Sequence, residues 1–374
     1  MNRSALVALL VFGARAASAE QPDRAAFDLY VFSQADEGGH PFRDESFLNN
    51  GVRTDLRIAA SSRVAIWHNA SFAILNNADP TAVPATIGNG TTLSASGVVL
   101  YLDSAGGIEW TSEDGNWIFT PGIYYHHQSS IIAGGADVVL QHLMAGGDTT
   151  LILSYSFRLG FRKLYYWDGT EELDHSHPTP SHTLLFGWTQ TLSPSWRMAL
   201  NAIYARQTGV LSNTFGYVTL FDQAGVPRHL VDELLPTTRN RFQLNGRLRW
   251  SPEIGLGIGL DASGYADDWG VKHFAVEPNF EIELGEGLRL RAWYRFSAQG
   301  ATKYFRLLPT TIARFQTQDS DLGSFAMHSP GMELTIGLPD WADLDWHLRI
   351  GGFGFWRTDG IFAVGGHTGV VTEW

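Results

Sequence analysis

The chain has 374 residues, 44% of them hydrophobic, with 40 glycines, a formal net charge of −12 and no cysteine. The missing thiols exclude a disulfide framework, thiolate catalysis and Cys-ligated zinc or iron–sulfur sites, and the acidity argues against a nucleic-acid partner. Past the N-terminus no apolar run approaches the ~20 residues that a membrane helix needs.

The first residues have the layout of a secretory signal: Arg3, then the apolar stretch 5–12, then Ala17-Ser18-Ala19 as a small-residue cleavage site. The expected organisation is therefore a signal peptide at 1–19 and a single domain at 20–374. Cleavage would remove two arginines and no acid, taking the net charge to −14, a balance that favours cations over anions in a pore.

Beyond it, strands are expected at 25–34, 51–60, 63–76, 98–113, 116–129, 137–145 and 149–164. More follow at 182–192, 196–207, 239–250, 256–265, 271–284, 288–303, 324–338, 345–357 and 365–374. Short turns rich in Gly, Pro, Ser and Asp alternate with long polar connections at 79–96, 165–181, 208–238 and 306–323. The count is sixteen, an even number with both ends on one side. Fourteen is the alternative, because the pattern before Asn116 is weak.

The clearest stretch is 271–303. Phe274, Val276, Phe280, Ile282 and Leu284 share one face, while His273, Glu277, Asn279, Glu281 and Glu283 share the other. After Gly285-Glu286-Gly287 the next strand sets Leu288, Leu290, Ala292, Tyr294 and Phe296 against Arg289, Arg291 and Arg295. Period two is the strand signal, and cross-strand carboxylate–guanidinium pairs attract. A regular apolar face backed by so many charges fits an antiparallel, up-and-down transmembrane β-barrel with lipid outside and a polar lumen inside. Expected strands of ~10–14 residues disfavour a soluble sandwich, where ~5–6 is usual. The final residue, Trp374, matches the aromatic ending typical of outer-membrane barrels, apart from Thr372 where an apolar residue is preferred, and is expected to be read by barrel assembly machinery.

Several separated runs, LLPTTRNR (234–241), GYADDWG (264–270), WYRFSAQGATKYF (293–305), DSDLGSF (319–325), GWTQTLSPSW (187–196) and QTGVLSN (207–213), resemble domain-of-unknown-function family 3570. The resemblance covers about Thr149 to the C-terminus and thins before it. It implies a bacterial outer-membrane barrel, in contact with lipid and lipopolysaccharide, and no established activity.

Three groups of residues are candidates for function. A lumen ladder comprises Arg241, Arg247, Arg249, Asp261, Glu277, Glu281, Glu283, Arg289, Arg291 and Arg295, read either as a solute path or as a charge-paired plug. An outer rim cluster comprises Tyr265, Asp267, Asp268, Trp269, Gln299, Lys303, Tyr304, Asp319 and Asp321. Its four aspartates are hard oxygen donors suited to a divalent cation, or else they pair with nearby cations and loop amides. His175 and His177 could offer imidazoles to a transition metal. There is no G-x-S-x-G, H-E-x-x-H or P-loop motif. The expected function is a pore- or transport-like barrel. The alternative is a non-conducting barrel that scaffolds a surface or periplasmic redox or metal-handling partner, with an outer-membrane hydrolase a distant third.

Overall fold

Strands with one apolar and one polar face can cross lipid only as a sheet closed on itself, since an open edge would leave backbone groups unpaired. The computed structural model of the chain, which describes residues 23–36, 47–77, 98–128, 131–167, 172–212, 217–339 and 344–373, is such a closed sheet. Its strands are β1 (Arg24–Asp36), β2 (Phe47–Ser61), β3 (Val64–Asn77), β4 (Val98–Thr111), β5 (Trp117–Gln128) and β6 (Ile131–Met144). Next come β7 (Thr149–Trp167), β8 (Glu172–Ser193), β9 (Trp196–Thr208), β10 (Tyr217–Phe221), β11 (Pro227–Asp232) and β12 (Thr238–Glu253). The last six are β13 (Leu256–Asp267), β14 (Lys272–Gly285), β15 (Leu288–Gly300), β16 (Phe325–Gly337), β17 (Asp345–Arg357) and β18 (Ile361–Glu373). Sixteen of them form one antiparallel barrel in chain order, with β1 closing against β18. The hairpin β10–β11 stands apart from the wall, between β9 and β12.

The two faces separate as the alternation requires. Phe27, Leu29 and Val31 on β1, Phe242 and Leu244 on β12, and Phe274, Val276, Phe280 and Leu284 on β14 are all well exposed on the outside. In water this many bare apolar side chains would aggregate; in lipid they are solvated. At the short-turn end Trp196 stacks on Trp250 with ring centroids 5.6 Å apart, an aromatic girdle of the kind that sits at a membrane interface. Sixteen strands spaced about 4.8 Å and tilted about 40° enclose a backbone circle about 30 Å across. Side chains from opposite walls cannot meet over that span. The substantial strand–strand contacts are accordingly all between sheet neighbours.

The wall differs from the sequence reading in its outer connections. Residues 165–167 and 172–181 are strand, not loop: β7 and β8 stay paired from Arg162 opposite His177 up to Trp167 opposite Glu172. β6 begins at Ile131 rather than 137, and β18 at Ile361 rather than 365. β15 ends at Gly300, which leaves Lys303 and Tyr304 in the following loop. The stretch 208–238 hides β10–β11, closed by a turn in which Asp222 accepts the backbone N–H groups of Ala224 (2.9 Å) and Val226 (2.8 Å) and the guanidinium of Arg228 (2.6 Å). The Val226 amide first, and Arg228 after it, hold the Asp222 carboxyl below the usual carboxylate range. At 165–181 and 208–238 polar composition misled, because strands beyond the membrane have no lipid-facing side to keep apolar.

The face assignment is testable by introducing charge. Leu244 points out at mid-strand and Asn245 points in. Leu244→Arg should cost about 2–4 kcal/mol in reversible urea unfolding from lipid vesicles, and Asn245→Arg much less. Equal losses would reverse the faces.

Candidate functional site

Two regions bring chemistry-bearing side chains together: the inward wall of β12–β15 and the outer mouth above it. All ten ladder residues lie on the inward parity of their strands. Asp261 accepts from Arg247 Nε (2.9 Å), Arg249 Nη2 (2.8 Å) and Asn279 Nδ2 (3.3 Å). Glu277 faces Arg295 at 3.4 Å, and Glu281 and Glu283 share Arg289 at 3.2 and 3.4 Å. Arg291 lies in register between Glu281 and Glu333, with its guanidinium 5.5 Å from the centre of the Trp293 ring. Arg241 reaches sideways to Gln207 at 2.8 Å. These contacts run along the wall, between neighbouring strands.

Inward aromatic groups also lie along the wall. The Trp293 ring covers Gly331, where an added Cβ would sit 2.2 Å from a ring carbon, and Tyr30 covers Gly51, where the gap would be 2.3 Å. Only glycine lets a ring approach the neighbouring backbone this closely. The lumen is thereby left clear of two large side chains.

Sequence reasoning did not find the matching network on the other half of the barrel. Asp103 accepts from the Tyr124 hydroxyl at 2.9 Å and pairs with His126 at 2.7 Å. Arg158 pairs with Asp137 at 2.7 Å and lies 4.1 Å over the Tyr124 ring. Its members come from four strands and are diluted by glycine and alanine, so no local pattern marked them.

At the mouth, β13 rises to Asp267 and returns through Gly270, whose positive φ of 94° closes the turn. The fully buried Asp267 carboxylate accepts two N–H groups of Arg239, the Tyr265 hydroxyl at 2.8 Å and the Val271 backbone N–H at 2.9 Å. Arg239 lies 4.4 Å over the Trp269 ring, and the Trp269 indole donates to the Thr238 carbonyl at 2.9 Å. Trp269, 2% exposed, forms a small core with Leu235, Val271 and Leu322, against which Tyr265 and Tyr304 pack.

The two long connections, 209–237 and 301–324, meet over this core. Leu234 and Gln316 exchange backbone hydrogen bonds of 3.2 and 2.8 Å. The Gln318 amide accepts from Thr219 N–H at 2.6 Å and donates to the Leu307 carbonyl at 3.0 Å, and the Thr317 hydroxyl donates to Glu233. Gln316, Thr317 and Ser320 are at most 1% exposed. The lower loop is tied to the wall by Gln299, which donates to the carbonyls of Asp321 (2.7 Å) and Gly323 (3.0 Å). Arg357 of β17 holds Asp321 at 2.7 Å together with Asp359.

The four rim aspartates do not converge. Asp267 belongs to Arg239. Asp268 turns to the other face, where its carboxylate accepts from Asn240 at 2.6 Å and its carbonyl takes Lys303 Nζ at 2.9 Å. Asp319 caps the turn by accepting Asp321 N–H at 3.0 Å, and Asp321 belongs to Arg357. Among the described residues no three metal-ligating side chains gather. Arg239 and Arg357, which no spacing rule tied to the aspartates, reach them from neighbouring strands and satisfy them. His177 stands opposite Arg162 in register; the His175 side chain, Trp374 and residues 1–19 lie outside the described residues. His182 and His328 face outward, hydrogen-bonded to Tyr155 (2.7 Å) and Tyr294 (2.5 Å). They are two copies of one tyrosine–histidine arrangement on the lipid side.

A family model described as "Protein of unknown function (DUF3570)" matches residues 122–348. No curated protein matches. Among solved structures, a bacterial polysaccharide outer membrane secretin is 10% identical at a TM-score of 0.47, covering 95% of this chain and 100% of its own. OccK5 (OpdH) of Pseudomonas aeruginosa is 12% identical at 0.42, covering 96% and 100%. The siderophore receptor PirA of Pseudomonas aeruginosa is 9% identical at 0.43, and this chain spans 57% of its length.

Among the described residues Asp267 alone pairs with Arg239, whereas Arg357 has Asp321 and Asp359. Removing one partner of a buried ion pair costs about 3–5 kcal/mol. Asp267→Ala should therefore lower the unfolding temperature, read by circular dichroism, well beyond Asp321→Ala, which leaves Arg357 with Asp359. Equal shifts would mean that the rim is not organised around Asp267.

Proposed function

The chain belongs to the DUF3570 family, whose description carries no activity, and from that premise we propose that it is an outer-membrane barrel through which solutes pass. The observation that carries this reading is the sideways pairing of the inward charges. A barrel of sixteen strands has an interior wide enough for an aqueous channel. In this one the guanidiniums and carboxylates of β12–β15 neutralise each other along the wall rather than projecting into the centre. A polar lining at that width holds water.

The laced loops narrow the outer end. They are built, not slack: their contact is a buried set of reciprocal hydrogen bonds and a small apolar core. A solute entering from outside would meet this constriction before it met the ladder. In channels, rings of fixed charge and the width between them set what passes. The lining and the constriction are the two parts of this barrel that would do so.

Planar-bilayer recording tests the reading. The folded, purified protein should give discrete conductance steps. Gly331→Ala should give smaller ones, because a methyl group 2.2 Å from the Trp293 ring must push that ring into the lumen. Silence from protein shown to be folded by heat-modifiable gel mobility would favour a non-conducting scaffold instead.

A further inference from the structure

The outside of the wall is nearly free of positive charge. Phe242, Leu244, Phe274 and Val276 mark its outward parity. By the same alternation, every described lysine or arginine side chain of the sixteen barrel strands points inward except Arg206 of β9 and Lys272 of β14. Both are exposed, and both lie at the outer end, away from the Trp196–Trp250 girdle. Cations that were merely tolerated at the membrane border would be scattered around the rim. These two share one edge, three strand spacings or about 14 Å apart.

The row between them is ordered by direct contacts. Arg206 stands in register between His182 of β8 and Asn240 of β12. Asn240 accepts from the Tyr204 hydroxyl at 2.9 Å and donates to the Asp268 carboxylate at 2.6 Å. Lys303 places Nζ 2.9 Å from the Asp268 carbonyl, which brings a third cation to the row with donors to spare. Among the described residues none of Arg206, Lys272 and Lys303 forms an ion pair. Beside Lys272 the wall is low. Lys272 is flanked by Ala266 and Gly300, and Phe274 by Gly264 and Ala298. A Cβ added at Gly264 would meet nothing within 4 Å. Phe274 is therefore a ridge with a shallow apolar groove on either side, headed by Lys272.

We propose that this edge binds one phosphate-bearing lipid of the outer leaflet, its headgroup on Arg206, Lys303 and Lys272 and an acyl chain along Phe274. Phosphate oxygens accept charge-assisted hydrogen bonds from guanidinium and ammonium groups alike, and basic groups at a membrane surface attract anionic lipid. In a chain of net charge −12, a basic edge facing the membrane is the exception. A soluble anion would take the cations and make no use of the grooves. The site lies on the lipid side of the wall and does not rest on the pore reading.

Native mass spectrometry of the folded barrel, released from detergent after titration with diphosphorylated lipid A, should show one saturable adduct. Lipid A stripped of its phosphates should bind more weakly by about tenfold or more. The double variant Arg206→Gln/Lys272→Gln should lose a similar factor for the diphosphorylated lipid. Both side chains face outward, so the lumen stays intact, and heat-modifiable gel mobility checks the fold. Arg63→Gln, at the turn between β2 and β3 on the inner side, should change nothing. If the double variant does not fold, Lys272→Gln decides, with an expected loss of about threefold or more. No adduct on folded wild-type protein, equal binding of the dephosphorylated lipid, or wild-type binding by the variants overturns the proposal. So does inorganic phosphate that binds as tightly as the lipid, since the ligand would then be a free anion.

Discussion

Backbone hydrogen bonding in lipid is the constraint from which the rest follows. No water is present in the hydrocarbon to satisfy an open strand edge, so the sheet must run from β1 around to β18 and join. Closure at sixteen strands fixes the width, and the width fixes what the inward charges can do. A guanidinium about 30 Å from the opposite wall cannot find its partner there. It must pair with the next strand or the one beyond. Arg349 on β17 reaches Asp28 on β1 at 2.7 Å, and His367 on β18 reaches Glu333 on β16 at 2.8 Å. Both pairs span two strands around the wall, not the lumen.

The mouth obeys a different rule. Above the membrane no lipid selects apolar residues, and the chain is free to build soluble-type structure: a hairpin, a cap turn and a small core around Trp269. That core would be too small to fold alone. It is stable because Arg239, Gln299 and Arg357, all projecting from the barrel, fasten it down. The rigid wall thus positions the loops.

Much of this was legible from residues alone. The faces of β12–β15 could be read because lipid contact keeps the outward positions apolar over a dozen residues, and the ten ladder positions follow from parity. The rim was legible in membership and not in pairing. Asp267, Trp269 and Tyr265 are adjacent in sequence, but Arg239 arrives from β12, 28 residues away, and local spacing carries no trace of it. Arg206 and Lys272 are further apart still, on strands separated by two others. Net charge points towards cations, since it sums every loop and turn. The sign at one position is set by the few side chains enclosed there, and at the mouth these come as pairs, Asp267 with Arg239 and Asp321 with Arg357.

The central claim is that the lumen is open to water from end to end, narrowed but not closed by the laced loops. Swelling of liposomes that contain the folded barrel, in a graded series of neutral sugars, measures this without reference to charge. The account predicts rapid entry of the smallest sugars and rates that fall steeply with solute size. Liposomes that swell no faster than protein-free vesicles in any sugar, with the barrel shown to be folded and inserted, would contradict it.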